Sequence, residues 1–126
     1  LEAMPGAVYL CDAQGHLVRY NSEAEALWGR KPALNDEEFF CGSHKLYRID
    51  GSPLPHDECP MAEAVLSGIE TRNAEVVIER PDGTRLIALV NIRALRGHDG
   101  RIEGAINCFQ DITERKLAQQ AVSEIE

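Results

Sequence analysis

Basic charge is scarce in this chain. Lys and Arg number 13 against 21 Asp and Glu, which gives a formal net charge of −8 and a pI near 5.0. A chain this acidic does not offer the clustered cations that hold a nucleic-acid backbone. It is equally unsuited to direct contact with an anionic membrane surface. Long apolar runs are missing, so no segment is expected to span a bilayer. No leader-like segment opens the chain, and Leu1 to Met4 reads as the middle of an element, as in an excised fragment. Internal repeats and low-complexity stretches are absent. So are the catalytic signatures: there is no Gly-rich phosphate loop, no Ser/His/Asp order and no His-Glu-x-x-His. The carboxylates scatter along turns and helix starts, where capping accounts for them. A catalytic role for the domain itself is not expected.

Cysteine is present, but without paired Cys-x-x-Cys spacing. The four lie at 11, 41, 59 and 108. Hydrophobic residues make up 44 % of the chain, enough for a core that needs no disulfide framework. Cys11 and Cys108 sit in apolar runs and read as small hydrophobes. A reducing, cytoplasmic compartment is expected.

What is present is one domain's worth of sequence, 126 residues with 27 % charged. Residues 7–12 and 16–20 are apolar runs joined by Ala13-Gln14-Gly15, the pattern of an antiparallel hairpin. Ser22-x-x-Glu25 fits a capping box opening a helix through Trp28, with Gly29 to end it. Residues 30–56 carry Pro32, Gly42, Gly51, Pro53 and Pro55 and are expected to be irregular. A short helical turn is expected at 36–40. Pro60 starts a second helix, with Met61, Ala64, Val65 and Leu66 on its apolar side and Gly68 as its stop.

Three strands are expected next, at 71–80, 85–95 and 101–110, separated by Pro81-Asp82-Gly83 and Gly97-His98-Asp99-Gly100. In the second, Leu86, Ala88, Val90, Ile92 and Ala94 alternate, so that face is core. Asp111-x-x-Glu114 fits another capping box, and a charged helical tail follows without Gly or Pro. Leu117, Ala118, Ala121, Val122 and Ile125 fall at helical spacing. The order of elements predicts an α+β domain, with one antiparallel sheet and helices on one face.

Three stretches in register resemble a PAS domain: residues 12–21 its opening hairpin, Arg80-Pro81-Asp82-Gly83-Thr84 its late turn, and Asp111-Ile112-Thr113-Glu114-Arg115-Lys116 its exit. The resemblance covers nearly the whole chain. It implies a five-stranded antiparallel sheet cupping a small cavity, with the first strand central between the second and the last. It divides the chain into a PAS domain at 1–112 and a signalling helix at 113–126. Cys41-Gly42-Ser43-His44-Lys45-Leu46-Tyr47 and His56-Asp57-Glu58-Cys59-Pro60-Met61 are similar to a bacterial subgroup found ahead of histidine kinase cores. The implied role is a sensory module relaying a cavity or redox signal to an output domain in the same chain. A histidine kinase is the expected output, and a cyclic-dinucleotide enzyme its rival. The competing reading is a ligand-free dimerisation spacer.

PAS domains hold haem, flavin, a small metabolite or nothing. The helix at Pro60 has no His, which disfavours haem. Asn107-Cys108-Phe109 is not the reactive Asn-Cys-Arg segment of photoactive relatives. The expected cavity residues are Trp28, Ala88, Val90, Ile92, Asn107 and Phe109. Trp28 reads more readily as a core aromatic on an amphipathic helix, and Asn107 more readily as an amide bonded to strand backbone or water. Cys41, His44, His56 and Cys59 have soft-metal spacing. They also read as ordinary loop residues or, for Cys41 and Cys59, as a reversible disulfide. Asp111, Thr113 and Glu114 form the signal exit. Ile87, Leu89, Ile106 and Cys108 fall on the outer face, which is expected to meet a terminal helix or a second copy in a homodimer.

Overall fold

A computed structural model of the chain describes residues 6–34 and 38–125. Strand β1 (Ala7–Asp12) turns back into β2 (Leu17–Tyr20). Helix α1 (Ser22–Trp28) follows, then the three-residue strand β3 (Lys45–Tyr47). A single 3-10 turn (His56–Glu58) leads into α2 (Pro60–Ser67). Strands β4 (Thr71–Glu79), β5 (Arg85–Arg96) and β6 (Ile102–Asp111) run consecutively, and α3 (Thr113–Ile125) leaves the sheet. All neighbouring strands pair antiparallel, in the order β2-β1-β6-β5-β4-β3.

The sheet has six strands rather than five. The additional one is β3, inside the stretch expected to be irregular. It pairs Lys45, Leu46 and Tyr47 with Glu79, Ile78 and Val77. β1 does lie between β2 and β6, but it is second from an edge; β6 and β5 occupy the centre. The helical turn expected at 36–40 falls partly on residues 35–37, outside the described ones. At Phe39 the chain instead forms a bridge with His16.

Local chemistry explains most boundaries. α1 is capped by Asn21, not by Ser22. The Asn21 Oδ1 accepts from Ala24 N at 3.0 Å and from Val8 N at 3.1 Å, while its Nδ2 donates to the Gly6 carbonyl at 2.8 Å. One buried amide therefore ends a strand and starts a helix. Gly29 and Gly68 close α1 and α2 at φ of 70° and 72°, a region that residues with a Cβ rarely adopt. On α2, Met61, Ala62, Ala64 and Val65 are buried, whereas Leu66 points to solvent. Leu66 lies on the α2 face away from the sheet, so an apolar residue type alone did not settle its side.

The core lies between the inner sheet face and the two short helices. Leu86, Ala88, Val90 and Ile92 of β5 are buried, and Arg85 and Arg93 are exposed. β6 keeps the same alternation, with Asn107 and Phe109 buried and Cys108 and Gln110 exposed. At β5's far end the period fades, and Ala94 is only half-buried.

Candidate functional site

The inner face of the sheet curls around a small void. Tyr9, Asn107 and Phe109 wall it from β1 and β6, and Val90, Ile92, Val76 and Ile78 from β5 and β4. Leu46, Trp28, Cys41 and the start of α2 close it. Its volume is about 20 Å³, space for a single water. Of the expected cavity residues, Trp28, Val90, Ile92, Asn107 and Phe109 line it. Ala88 does not, although it is fully buried. It pairs with Val76 of β4 on one side and Asp111 of β6 on the other.

Trp28 stacks on Phe109, with ring centroids 5.8 Å apart and planes 23° from parallel. Tyr9 meets Trp28 edge-on at 5.2 Å. Tight packing of this ring needs Gly42, where a Cβ would overlap the Trp28 benzo edge. The Tyr9 hydroxyl donates to the Phe40 carbonyl at 2.8 Å. Burial, reinforced by the neighbouring thiols of Cys41 and Cys59, pushes its phenol well up, so Tyr9 stays neutral. Among the described residues, two buried polar atoms here have no hydrogen-bond partner: Nε1 of Trp28 and Oδ1 of Asn107. Asn107 therefore does not bond its Oδ1 to strand backbone. Each such buried orphan costs about 1–3 kcal/mol.

The Cys/His quartet is split by the fold. Cys41 and Cys59 face the void, and His44 is exposed beside a surface groove. His56 reaches inward to Ser43, with Nε2 3.1 Å from its Oγ, while the Cys41 thiol donates to the same oxygen at 3.1 Å. Burial pushes the Cys59 thiol up to about 12 and raises Cys41 also. Burial holds His56 below its ordinary value, with Arg30 and His44 adding to it against Glu38 and Asp57. Among the described residues, no three or more His, Cys, Asp or Glu side chains gather to hold a metal.

The exit junction is built differently from a capping box. Asp111 Oδ1 accepts from the backbone N–H and the hydroxyl of Thr113, not from Glu114. Thr113 Oγ1 in turn accepts from Ile87 N at 2.8 Å, and Ile112 N donates to the Ile87 carbonyl at 2.8 Å. Lys116, one turn into α3, pairs with Glu75 of β4 at 3.1 Å. The helix is thus fastened to β5 and β4 at its root. Beyond it, Leu117 and Val122 are exposed. Sequence reasoning missed Tyr9, Ser43 and Lys116. Tyr9 stands opposite Asn107 across β1 and β6, a pairing that only the fold reveals.

The fold and its curled sheet define a sensor-type α+β domain with a helix leaving its last strand. The PAS domain family profile matches residues 5–114, and the chain belongs to that family. PAS domains are generally sensory and non-catalytic. No curated protein matches the chain. Among solved structures, the PAS domain of the fruit-fly ELK potassium channel is 19 % identical over 86 % of this chain and 87 % of that one, with a TM-score of 0.65. An RNA-binding Light-Oxygen-Voltage receptor is 22 % identical over 98 % of this chain but 34 % of its own, with a TM-score of 0.68. The LOV domain of the blue-light activated histidine kinase EL346 from Erythrobacter litoralis is 16 % identical over 87 % and 98 %, with a TM-score of 0.62. These likenesses concern the fold.

A flavin does not fit this site. Drug-sized ligands take clefts of about 300–1,000 Å³, and the void here offers about 20 Å³. α2 carries no axial His for haem, and His56 is turned to Ser43. Among the described residues, no helix is long and apolar enough to cross a membrane.

Proposed function

We propose that the chain is the input module of a larger bacterial signalling protein, and that it relays the state of its cavity through α3. One observation carries this reading: β6 bears both the cavity residues Asn107 and Phe109 and, at its end, the Asp111–Thr113 junction that fastens α3 to Ile87. A shift of β6 at the void is transmitted along a paired strand to the root of the helix. The signal acts by favouring one of two arrangements of that root over the other.

The output assigned is a histidine kinase in the cytoplasm. Support comes from the Cys41–His44 and His56–Cys59 segments and from the shared fold of the EL346 LOV domain. The protein works as a homodimer. Leu117 and Val122 on α3 are exposed, as is Cys108 on the outer face, with Ile87, Leu89 and Ile106 half-buried beside it. A second reading, a dimerisation spacer with a closed core, is favoured by the small size of the void.

The experiment is output activity of the full-length protein with Asn107→Leu in the cavity, on a wild-type or Thr113→Val exit. Asn107→Leu is expected to change output with the native junction and to lose that effect with Thr113→Val, while Thr113→Ser keeps it. An unchanged response in Thr113→Val would sink the relay. Output that ignores Asn107→Leu in every background supports the spacer.

A further inference from the structure

Trp28 and Asn107 both line the void, and Nε1 of the one and Oδ1 of the other have no hydrogen-bond partner among the described residues. Trp28 is fully buried and Asn107 is 4 % exposed, so bulk water does not serve them. The indole nitrogen only donates, and the amide oxygen only accepts. A hydroxyl satisfies both through one uncharged group. Among the described residues, no charged side chain lines the void. An ion would therefore lose its hydration without gaining a countercharge.

We propose that the cavity takes a small uncharged molecule bearing one hydroxyl on an apolar body, a short-chain alcohol in chemical class. Its oxygen accepts from Trp28 Nε1, its O–H donates to Asn107 Oδ1, and its carbons lie against Met61, Val90 and Ile92. A buried water typically makes about three hydrogen bonds. Here one would meet two orphaned groups and an otherwise largely apolar wall, so a hydroxyl with a hydrocarbon body matches the site better.

Room for that body comes from Leu46. This side chain lines both the void and the neighbouring groove of about 220 Å³, and so stands between them. It belongs to β3, the three-residue strand at the sheet edge. Met61, unbranched and fully buried, supplies a wall that adapts to the guest. The access route therefore runs from the groove past Leu46. The inference rests on the cavity being the module's input site and gives that site its ligand class.

Trp28 is the single tryptophan, so its fluorescence reports on the site alone. The chain is titrated with 1-butanol, with 1-chlorobutane, which has no hydroxyl, and with butanoate, which is charged. 1-Butanol is expected to give a saturable spectral change with an affinity at least about tenfold above that for 1-chlorobutane. Butanoate is expected not to bind. Asn107→Leu should reduce 1-butanol to the level of 1-chlorobutane, and Leu46→Ala should strengthen 1-butanol binding by joining void and groove. Equal affinities for 1-butanol and 1-chlorobutane in the wild type overturn the proposal. So does a spectrum indifferent to all three, the outcome of a bound water only. These comparisons decide the matter even if a variant fails to fold. Binding without any change in α3 amide exchange leaves the site standing and removes the sensory reading instead.

Discussion

Thr113 Oγ1 accepts a hydrogen bond from the amide of Ile87 in the place where an antiparallel partner would present the carbonyl of Ile112. The Ile112 carbonyl is already engaged by Lys116 N, at 3.0 Å, in the first turn of α3. The ladder still receives one bond, from Ile112 N to the Ile87 carbonyl. A side-chain hydroxyl thus substitutes for a backbone acceptor that the helix has taken. Strand and helix overlap there without leaving a donor unpaired.

Thr113→Val keeps the branched shape and removes the acceptor. A loss of about 1–2 kcal/mol is expected in urea unfolding, with faster amide exchange at Ile87. Thr113→Ser should recover most of the loss. Equal destabilisation by Ser and Val would mean that the methyl, not the oxygen, holds the junction.

Asn21→Ala removes a helix cap and two bonds to β1 and the residue before it. The expected cost is about 2–3 kcal/mol, more than an exposed cap alone. Asn21→Asp retains the Oδ1 acceptor but cannot donate to the Gly6 carbonyl, so it should fall between the two.

His56 has a folded pKa below its unfolded value near 6.5, chiefly through burial. Between the two values the unfolded chain binds more protons, so stability rises with pH through that window. The contribution is fully present above pH 6.5 or so and is lost as pH falls through the folded pKa. A titration of the His56 ring followed by NMR should have its midpoint below about 6.5. His56→Gln should flatten that part of the stability–pH curve while leaving the acid limb of the carboxylates.

Much of this was legible in the sequence where a pattern repeats. The alternation Leu86-Ala88-Val90-Ile92 gave a core face, and the resemblance to relatives gave the phase of Asn107 and Phe109. Gly29 and Gly68 marked helix ends because a left-handed residue leaves few alternatives. β3 escaped because three residues carry no period, and its pairing to β4 is purely tertiary. Asn21 and Ser22 are both good caps, and only the approach of β1 makes the longer amide the better bridge. Ala88 lies on the right face, but alternation does not say which residues of that face border a void. The orphaned atoms of Trp28 and Asn107 were beyond reach, since a missing partner is a property of the packed interior.

Under the proposed relay, the cavity and the root of α3 are energetically linked through β6. Asn107 and Thr113 are about 20 Å apart along the chain at the ~3.3 Å rise of a strand. Independent sites at such a distance add within about 0.3–0.5 kcal/mol. The direct measurement is a double-mutant cycle on unfolding free energy with Asn107→Leu and Thr113→Val. Linkage through β6 predicts an interaction energy above about 0.5 kcal/mol. Strict additivity of the two substitutions would contradict it.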